Sequence, residues 1–441
     1  MAIEKTCDVL IRVKPEGASS SGGGSADSYT CTVAYGDIAD SAYFSSAVAR
    51  CKRGSRKEIQ IIMSSAKLET CKMMLKFVRS KKIPSLTVEK LLELLEMADR
   101  FKLRSCALAA SVRLGRVPIS PQEAYSVFKL QKSRPTVSLY PGTRLAVEAA
   151  TRSLLDIFRD LERVAQKESL LDAFVKLPAI ALVELLAQDD LMVVKENTVF
   201  YLVTLWFMNN YPDSTPADQE YFHDAMQIGA QIRFPMMSEN YLKRWAPTAK
   251  WIADFLPSAR VWIDEALEYR LVEAEDLVDT ATYTSQRFRE RAKPTTSNEL
   301  SWKVPAGVAK EKMMSGYVTQ GKFCGGYHWR IGLESKKKSN DSGLGMHLYA
   351  EPPLLEMDDA FHPDGKTALK VEGKFKLSSR KFVGDKKPKT LELANPKWDL
   401  GTGWGFSDFY DEDAEYVFRR GSPYVDNTGH LGVAAIIDEL E

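Results

Sequence analysis

At 441 residues, with 44% hydrophobic and 27% charged side chains, the chain has ample apolar surface to bury and is too long for one compact core; roughly two to four domains are expected. Sixty Lys and Arg against 59 Asp and Glu leave a formal charge of +1, which gives no electrostatic footprint for nucleic acid or for an anionic membrane. The cysteines at 7, 31, 51, 71, 106 and 324 are scattered, with no Cys-x-x-Cys pair, and read as reduced, mostly buried thiols rather than a zinc site or a disulfide framework.

The opening MAIEKTCDVLIRVK has no apolar run long enough for a signal peptide. The most apolar stretch, Thr198 to Met208, falls short of the roughly 20 residues that span a bilayer. A soluble protein of the cytoplasm and/or nucleus is expected, with Lys336-Lys337-Lys338 and Lys386-Lys387 read as solvated loop tips. Cys7–Val13 and Tyr29–Tyr35 are expected to be paired strands around a flexible low-complexity insert, Glu16–Asp27 (EGASSSGGGSAD). Glu58–Met63 reads as a third strand and Leu68–Arg79 as a helix. In the stretch from Leu91 to Cys106, Leu91, Leu94, Leu95, Ala98 and Phe101 repeat at i, i+3, i+4 and i+7, the mark of a helix buried on one face.

From Ser120 to about Leu271 the period is helical almost throughout. Ser120-Pro121-Gln122-Glu123 is a capping box with Pro at the first helical position, and Thr215-Pro216-Ala217-Asp218 is expected to repeat it. Ser238 and Ser258 are expected N-caps for the helices carrying Tyr241, Leu242 and Trp245, and Val261, Trp262 and Leu267. The second half of Glu273–Leu300 reads as linker. After Ser301 short alternating runs take over. Tyr327–Leu333, Leu344–Tyr349, Ala368–Leu377 and Leu431–Ile437 are strand-like and separated by turn residues, which describes a β-sandwich.

Several phrases carry a resemblance. LLELLEMADRFKLRSC (91–106), the strand Cys7–Val13 and the helix start Ser41-Ala42-Tyr43-Phe44 resemble a BTB/POZ domain. VPISPQEA (117–124), VELLAQDDLMV (183–193) and QIRFPMM (231–237) resemble the BACK domain of plant-type BTB-BACK proteins. Gly326-Tyr327-His328-Trp329-Arg330-Ile331, WGFSDF (404–409) and SPYVDNTGHL (422–431) resemble the MATH (TRAF-like) domain. The implied fold class is multidomain α+β. A BTB/POZ-like α/β domain would span 5–115 with its insert at 16–27. An all-α BACK-like domain would follow at 118–275, a linker at 276–300, and an antiparallel MATH/TRAF-like β-sandwich at 301–439.

The resemblance implies a non-catalytic, substrate-recruiting adaptor of a cullin-3-type ubiquitin ligase. The BTB part would meet the cullin, or a second copy, around Tyr43, Phe44, Ala47 and Val48. The sandwich would hold a target peptide with Trp404 and Phe406. Expected partners are a cullin-3-type scaffold, a substrate protein or peptide, and a homodimer mate through BTB, with no cofactor and no metal. Four departures weaken parts of this. Gly403 stands where the family carries an acid, Cys51–Arg56 lacks the hydrophobic-x-acidic recognition triplet, and a His-Lys pair is missing from Tyr29–Tyr35. The short lead before Cys7 leaves no room for the extra N-terminal helix of many BTB dimers. A non-catalytic scaffold or transcription co-regulator, self-associating through BTB, is the rival.

Period 2 places Trp404 and Phe406 on one face without saying which, so a core position and a groove position weigh evenly. Phe44 and its neighbours are core more often than interface by residue type. Cys324 and His328 lack a third orienting residue and are read as structural rather than as a nucleophile and base. Asp358–Asp364 resembles an oxygen-and-imidazole metal site but has no second ligand cluster, and Asp411-Glu412-Asp413 with Glu415 reads as a solvated acidic turn. No Walker loop, Rossmann fingerprint, Gly-x-Ser-x-Gly elbow or His-Glu-x-x-His occurs.

Overall fold

The computed structural model describes residues 8–16, 28–51, 57–271, 285–295, 298–312, 316–335, 343–351, 370–382, 388–393, 397–399, 403–410, 412 and 414–440. Cys7, most of the low-complexity insert, 52–56, both basic runs, Asp358–Asp364, Asp411 and Asp413 lie outside the described residues. By internal contacts the chain divides into two units, Met1–Asp156 and Ile157–Glu441.

The first unit is built on a sheet of order β2-β1-β3, from β1 (Asp8–Pro15), β2 (Tyr29–Ala34) and β3 (Lys57–Met63). β1 runs antiparallel to β2 and parallel to β3, with Ile11 opposite both Cys31 and Ile59. Its Val9, Ile11 and Val13 are fully buried. Helix α1 (Tyr35–Ile38) is followed by α2 (Ala42–Ala49), then α3 (Ser65–Ser80), α4 (Val88–Arg100), α5 (Arg104–Leu114), α6 (Pro121–Ser133) and α7 (Pro141–Phe158). Ser41 explains how α2 begins. Its hydroxyl oxygen accepts from the Phe44 N–H at 3.2 Å and donates to the Phe101 carbonyl at 2.5 Å, so one buried side chain caps a helix and ties it to the end of another. Leu91, Leu94, Leu95 and Ala98 all lie on the buried side of α4. The phrase divides at Lys102, whose φ of 52° ends one helix before α5 starts. The Ser120 capping box forms as read, both reciprocal bonds present.

The second unit opens with α8 (Leu161–Gln166), α9 (Glu168–Val175), α10 (Ala179–Leu186), α11 (Asn197–Asn210), α12 (Gln219–Gly229), α13 (Lys250–Ala253) and α14 (Leu256–Leu271). The apolar Thr198–Met208 stretch is the middle of α11, with residues around its whole circumference buried. Three cap expectations are corrected. Asp218, not Thr215, caps α12, because its carboxylate reaches the N–H groups of Glu220 and Tyr221. The Ser238 hydroxyl is engaged by Asn197 Nδ2 at 3.1 Å, so only its carbonyl starts the following turn, onto Leu242 N–H. Ser258 sits inside α14 with its N–H on the Phe255 carbonyl. The expected linker is described at 285–295, which packs on the helices, and at 298–300, which leads into the first strand that follows. Arg291, fully buried, pairs with Glu196 at 3.0 Å and bonds the carbonyls of Gln188 and Gln231.

Two antiparallel sheets follow. One has the order β10-β9-β13-β4, with β11 on β9, from β4 (Glu299–Pro305), β9 (Lys370–Ser379), β10 (Lys389–Leu393), β11 (Lys397–Asp399) and β13 (His430–Leu440). The other has the order β12-β8-β7-β5, with β6 on β7, from β5 (Tyr317–Val318), β6 (Lys322–Cys324), β7 (Tyr327–Ser335), β8 (Leu344–Glu351) and β12 (Gly403–Tyr410). Trp329 of β7 meets Phe375 of β9 with ring centroids 5.3 Å apart, and Tyr410 Oη donates to Ser379 Oγ at 2.7 Å, so the two sheets close on a shared core.

The β6–β7 turn is buried among the helices. Gly325 and Gly326 have φ of 60° and 90°, and a Cβ on Gly326 would lie 2.5 Å from Asn197. Gly325 N–H donates to Glu162 Oε2 at 2.9 Å, its carbonyl accepts from Asn197 Nδ2 at 3.2 Å, and Tyr241 Oη donates to the Gly326 carbonyl. Sandwich and helices are thereby locked through one hairpin tip.

Candidate protein-interaction site

Among the described residues β12 is the end strand of its sheet. Trp404 lies opposite Leu348 and Phe406 opposite Met346, and facing residues of an antiparallel pair share a side. Leu348 and Met346 are fully buried, so both aromatics hang over the rim of the core. Trp404 remains 45% exposed, and Phe406 is half-buried, 6.4 Å from the ring of Phe409. Gly405 between them is needed for the approach to β8, since a Cβ there would come 2.1 Å from the Met346 carbonyl oxygen. After Phe406 the register breaks, and Phe409 and Tyr410 turn fully into the core. On the other face Tyr349 lies across Gly332 and Gly403 and donates to Glu334 Oε1 at 3.1 Å. An open strand edge beside an exposed indole can take an added peptide strand through main-chain bonds, with aromatic walls for its side chains.

Helix α2 divides the other candidates by its own period. Phe44 (0% exposed) and Val48 (2%) face the core, while Tyr43 (37%) and the partly exposed Ala47 lie one residue round, toward solvent. Of the four residues expected at an interface, Phe44 and Val48 are packing residues in this chain, and Tyr43 and Ala47 are the accessible ones. The Tyr43 ring is held edge-on by Phe44 and Phe101 at 5.3 and 4.8 Å.

Cys324 and His328 do not form a dyad. Cys324 pairs with the inward Tyr327, whereas His328 pairs with Phe323, so the two side chains leave opposite faces of the ladder. Burial pushes the Cys324 thiol well above its usual range, and burial with the nearby Arg330 charge lowers the His328 pKa. Among the described residues no cluster of His, Cys, Asp or Glu is placed to hold a metal ion. No helix among them is long and apolar enough to cross a membrane.

The sequence reading missed Glu162. This carboxylate of α8 is fully buried and accepts from Gly325 N–H, Val194 N–H and Thr198 Oγ1, the last at 2.7 Å. Burial outweighs those donors and pushes its pKa up to about 7. The residues that fix the site come from positions 163 apart in the chain, beyond any local pattern.

Comparison with known proteins agrees with parts of this picture. The BACK family model (BTB And C-terminal Kelch) matches residues 151–246. Two BTB/POZ domain-containing proteins of Arabidopsis thaliana are similar. One is 25% identical over 245 residues, 54% of this chain and 44% of its own length; the other is 26% identical over 193 residues, 44% of this chain and 32% of its own length. The chain thus matches less than half the length of either relative. A solved TRAF5 structure from Notothenia coriiceps aligns with 43% of this chain and 95% of its own, at 16% identity and a TM-score of 0.23; the sandwich described above rests on its strand pairings instead.

Proposed function

We propose that this chain, which matches the BACK family model at residues 151–246, is similar to two BTB/POZ domain-containing proteins and ends in two antiparallel sheets, is a substrate-recruiting adaptor of a cullin-3-type ubiquitin ligase. The observation that carries the reading is Trp404, an indole 45% exposed on the strand at the end of the described sheet, opposite the fully buried Leu348. In this reading Trp404 and Phe406 desolvate a short peptide of the target while the edge of β12 pairs with its backbone. The accessible side of α2, with Tyr43 and Ala47, meets the cullin. No residue of the chain reacts. Holding the target beside a charged ubiquitin carrier raises its effective concentration, and the chemistry belongs to the assembly.

The test is binding of the full chain to the N-terminal region of a cullin-3-type scaffold, with Tyr43→Lys as the variant. Phe44→Ala is a poor choice because Phe44 is core and its loss would empty the fold. Sub-micromolar binding that weakens about tenfold or more in Tyr43→Lys supports the adaptor. No binding by the folded chain overturns the cullin assignment. The rival, a self-associating scaffold, is favoured by Lys52, Arg53 and Arg56 standing where the resemblance places a hydrophobic-x-acidic recognition triplet. A stable dimer without cullin binding, seen by sedimentation, would establish it.

A further inference from the structure

A cavity of about 460 Å³ lies on the sandwich sheet that does not contain β12. Its floor is the outward side of β13, where Gly432 and Ala434 alternate with buried Leu431, Val433 and Ala435. The walls follow from register. Lys303 of β4 stands opposite Gly432, and on the other side the Arg380 N–H donates to the Gly432 carbonyl at 2.9 Å. One row along, Ser301 and Ser378 both stand opposite Ala434. A Cβ on Gly432 would lie 3.4 Å from both Arg380 Cβ and the Phe382 ring, so the missing side chain is what leaves the space open. Strands spaced about 4.8 Å apart put the two walls roughly 10 Å from each other, the width of one extended chain.

Among the described residues neither Lys303 nor Arg380 has a carboxylate partner, and the Arg380 guanidinium rests over Phe382 at 5.5 Å. Elsewhere on the sandwich Arg330 pairs with Glu351, Lys376 with Asp438 and Lys310 with Glu415. Of the acids lining the cavity, Asp426 spends its Oδ1 on Thr428 and the His430 N–H, and Glu299 lies opposite Ile436, beyond the serine row.

We propose that this trough binds an extended segment of a partner protein bearing a phosphorylated serine or threonine, its phosphoryl group held between Lys303 and Arg380. A phosphomonoester brings a charge of about −1.5 to −2 and three acceptor oxygens. The guanidinium fork takes two of them, the ammonium takes the third, and Phe382 fixes the plane of the fork. Ser301 and Ser378 flank the peptide where it continues over Ala434. The surface is separate from Trp404 and Phe406, and the inference stands or falls independently of the adaptor reading.

The experiment is fluorescence anisotropy of the full chain with three labelled peptide pools that share a degenerate sequence around a fixed central phosphoserine, serine or aspartate. The phosphoserine pool is expected to bind roughly tenfold more tightly than the other two. Lys303→Ala and Arg380→Ala, both at exposed positions, should each weaken it about fivefold, and the double variant should abolish it. Gly432→Val should block the trough. Equal binding of the aspartate pool would make this an acidic-peptide surface and overturn the phosphoryl assignment. Binding retained by a folded double variant, or none by the folded parent chain, would overturn the site itself.

Discussion

Glu162 is a fully buried carboxylate that joins α8 to the hairpin tip, and its effect on stability has a sign. Its folded pKa, about 7, lies above the unfolded carboxylate value, so the folded state holds the proton more tightly. The stabilisation is full below about pH 4.5 and is lost as pH rises through about 7, a contribution on the order of 3 kcal/mol. Urea unfolding of the second unit at pH 5 and pH 8 should therefore differ, with the acid condition more stable, and Glu162→Gln should flatten the difference. Equal midpoints for the parent chain would contradict the assignment. At the same scale, Gly405→Ala drives a methyl group into the Met346 carbonyl and should lower stability by about 1–3 kcal/mol, read as a fall in melting temperature.

Elements show where local sequence sufficed. The Ser120 box was legible because cap and partner are three residues apart, and its bonds exist within one turn. The α4 stripe was legible because burial on one face repeats along a single helix. Ser238 failed as a cap since Asn197, a residue of another helix, takes its hydroxyl. The polar segment around Arg291 read as linker because its buried partner, Glu196, is 95 positions away. Trp404 and Phe406 were fixed to a common side by period 2, but the side was set by β8, which no pattern within WGF encodes. Ser41→Ala tests an element joint. Losing both the cap and the bond to Phe101 should cost about 1–3 kcal/mol, measured by chemical denaturation of the first unit.

At the scale of the whole molecule, the succession of mixed, helical and strand-rich stretches was visible in changes of period. What joins helices to sandwich was not visible, because Gly325-Gly326 reads as one more turn. Gly326→Val places a branched side chain at a φ of 90° against Asn197 and Tyr241. Scanning calorimetry should then show the second unit's single transition separating into helical and sandwich steps, whereas the parent melts the two together.

The hairpin tip also bears on how such a chain can be recombined. A sandwich joined to its neighbour only through a tether is an exchangeable cassette, able to bring a new specificity with it. Here the cassette carries a key cut for one lock, formed by Glu162, Asn197 and Tyr241. A transplanted sandwich would need those three residues in its new host, and a sandwich from elsewhere would need two glycines at its own tip. Any exchange of such a sandwich would therefore have to keep the contacts of this tip in place.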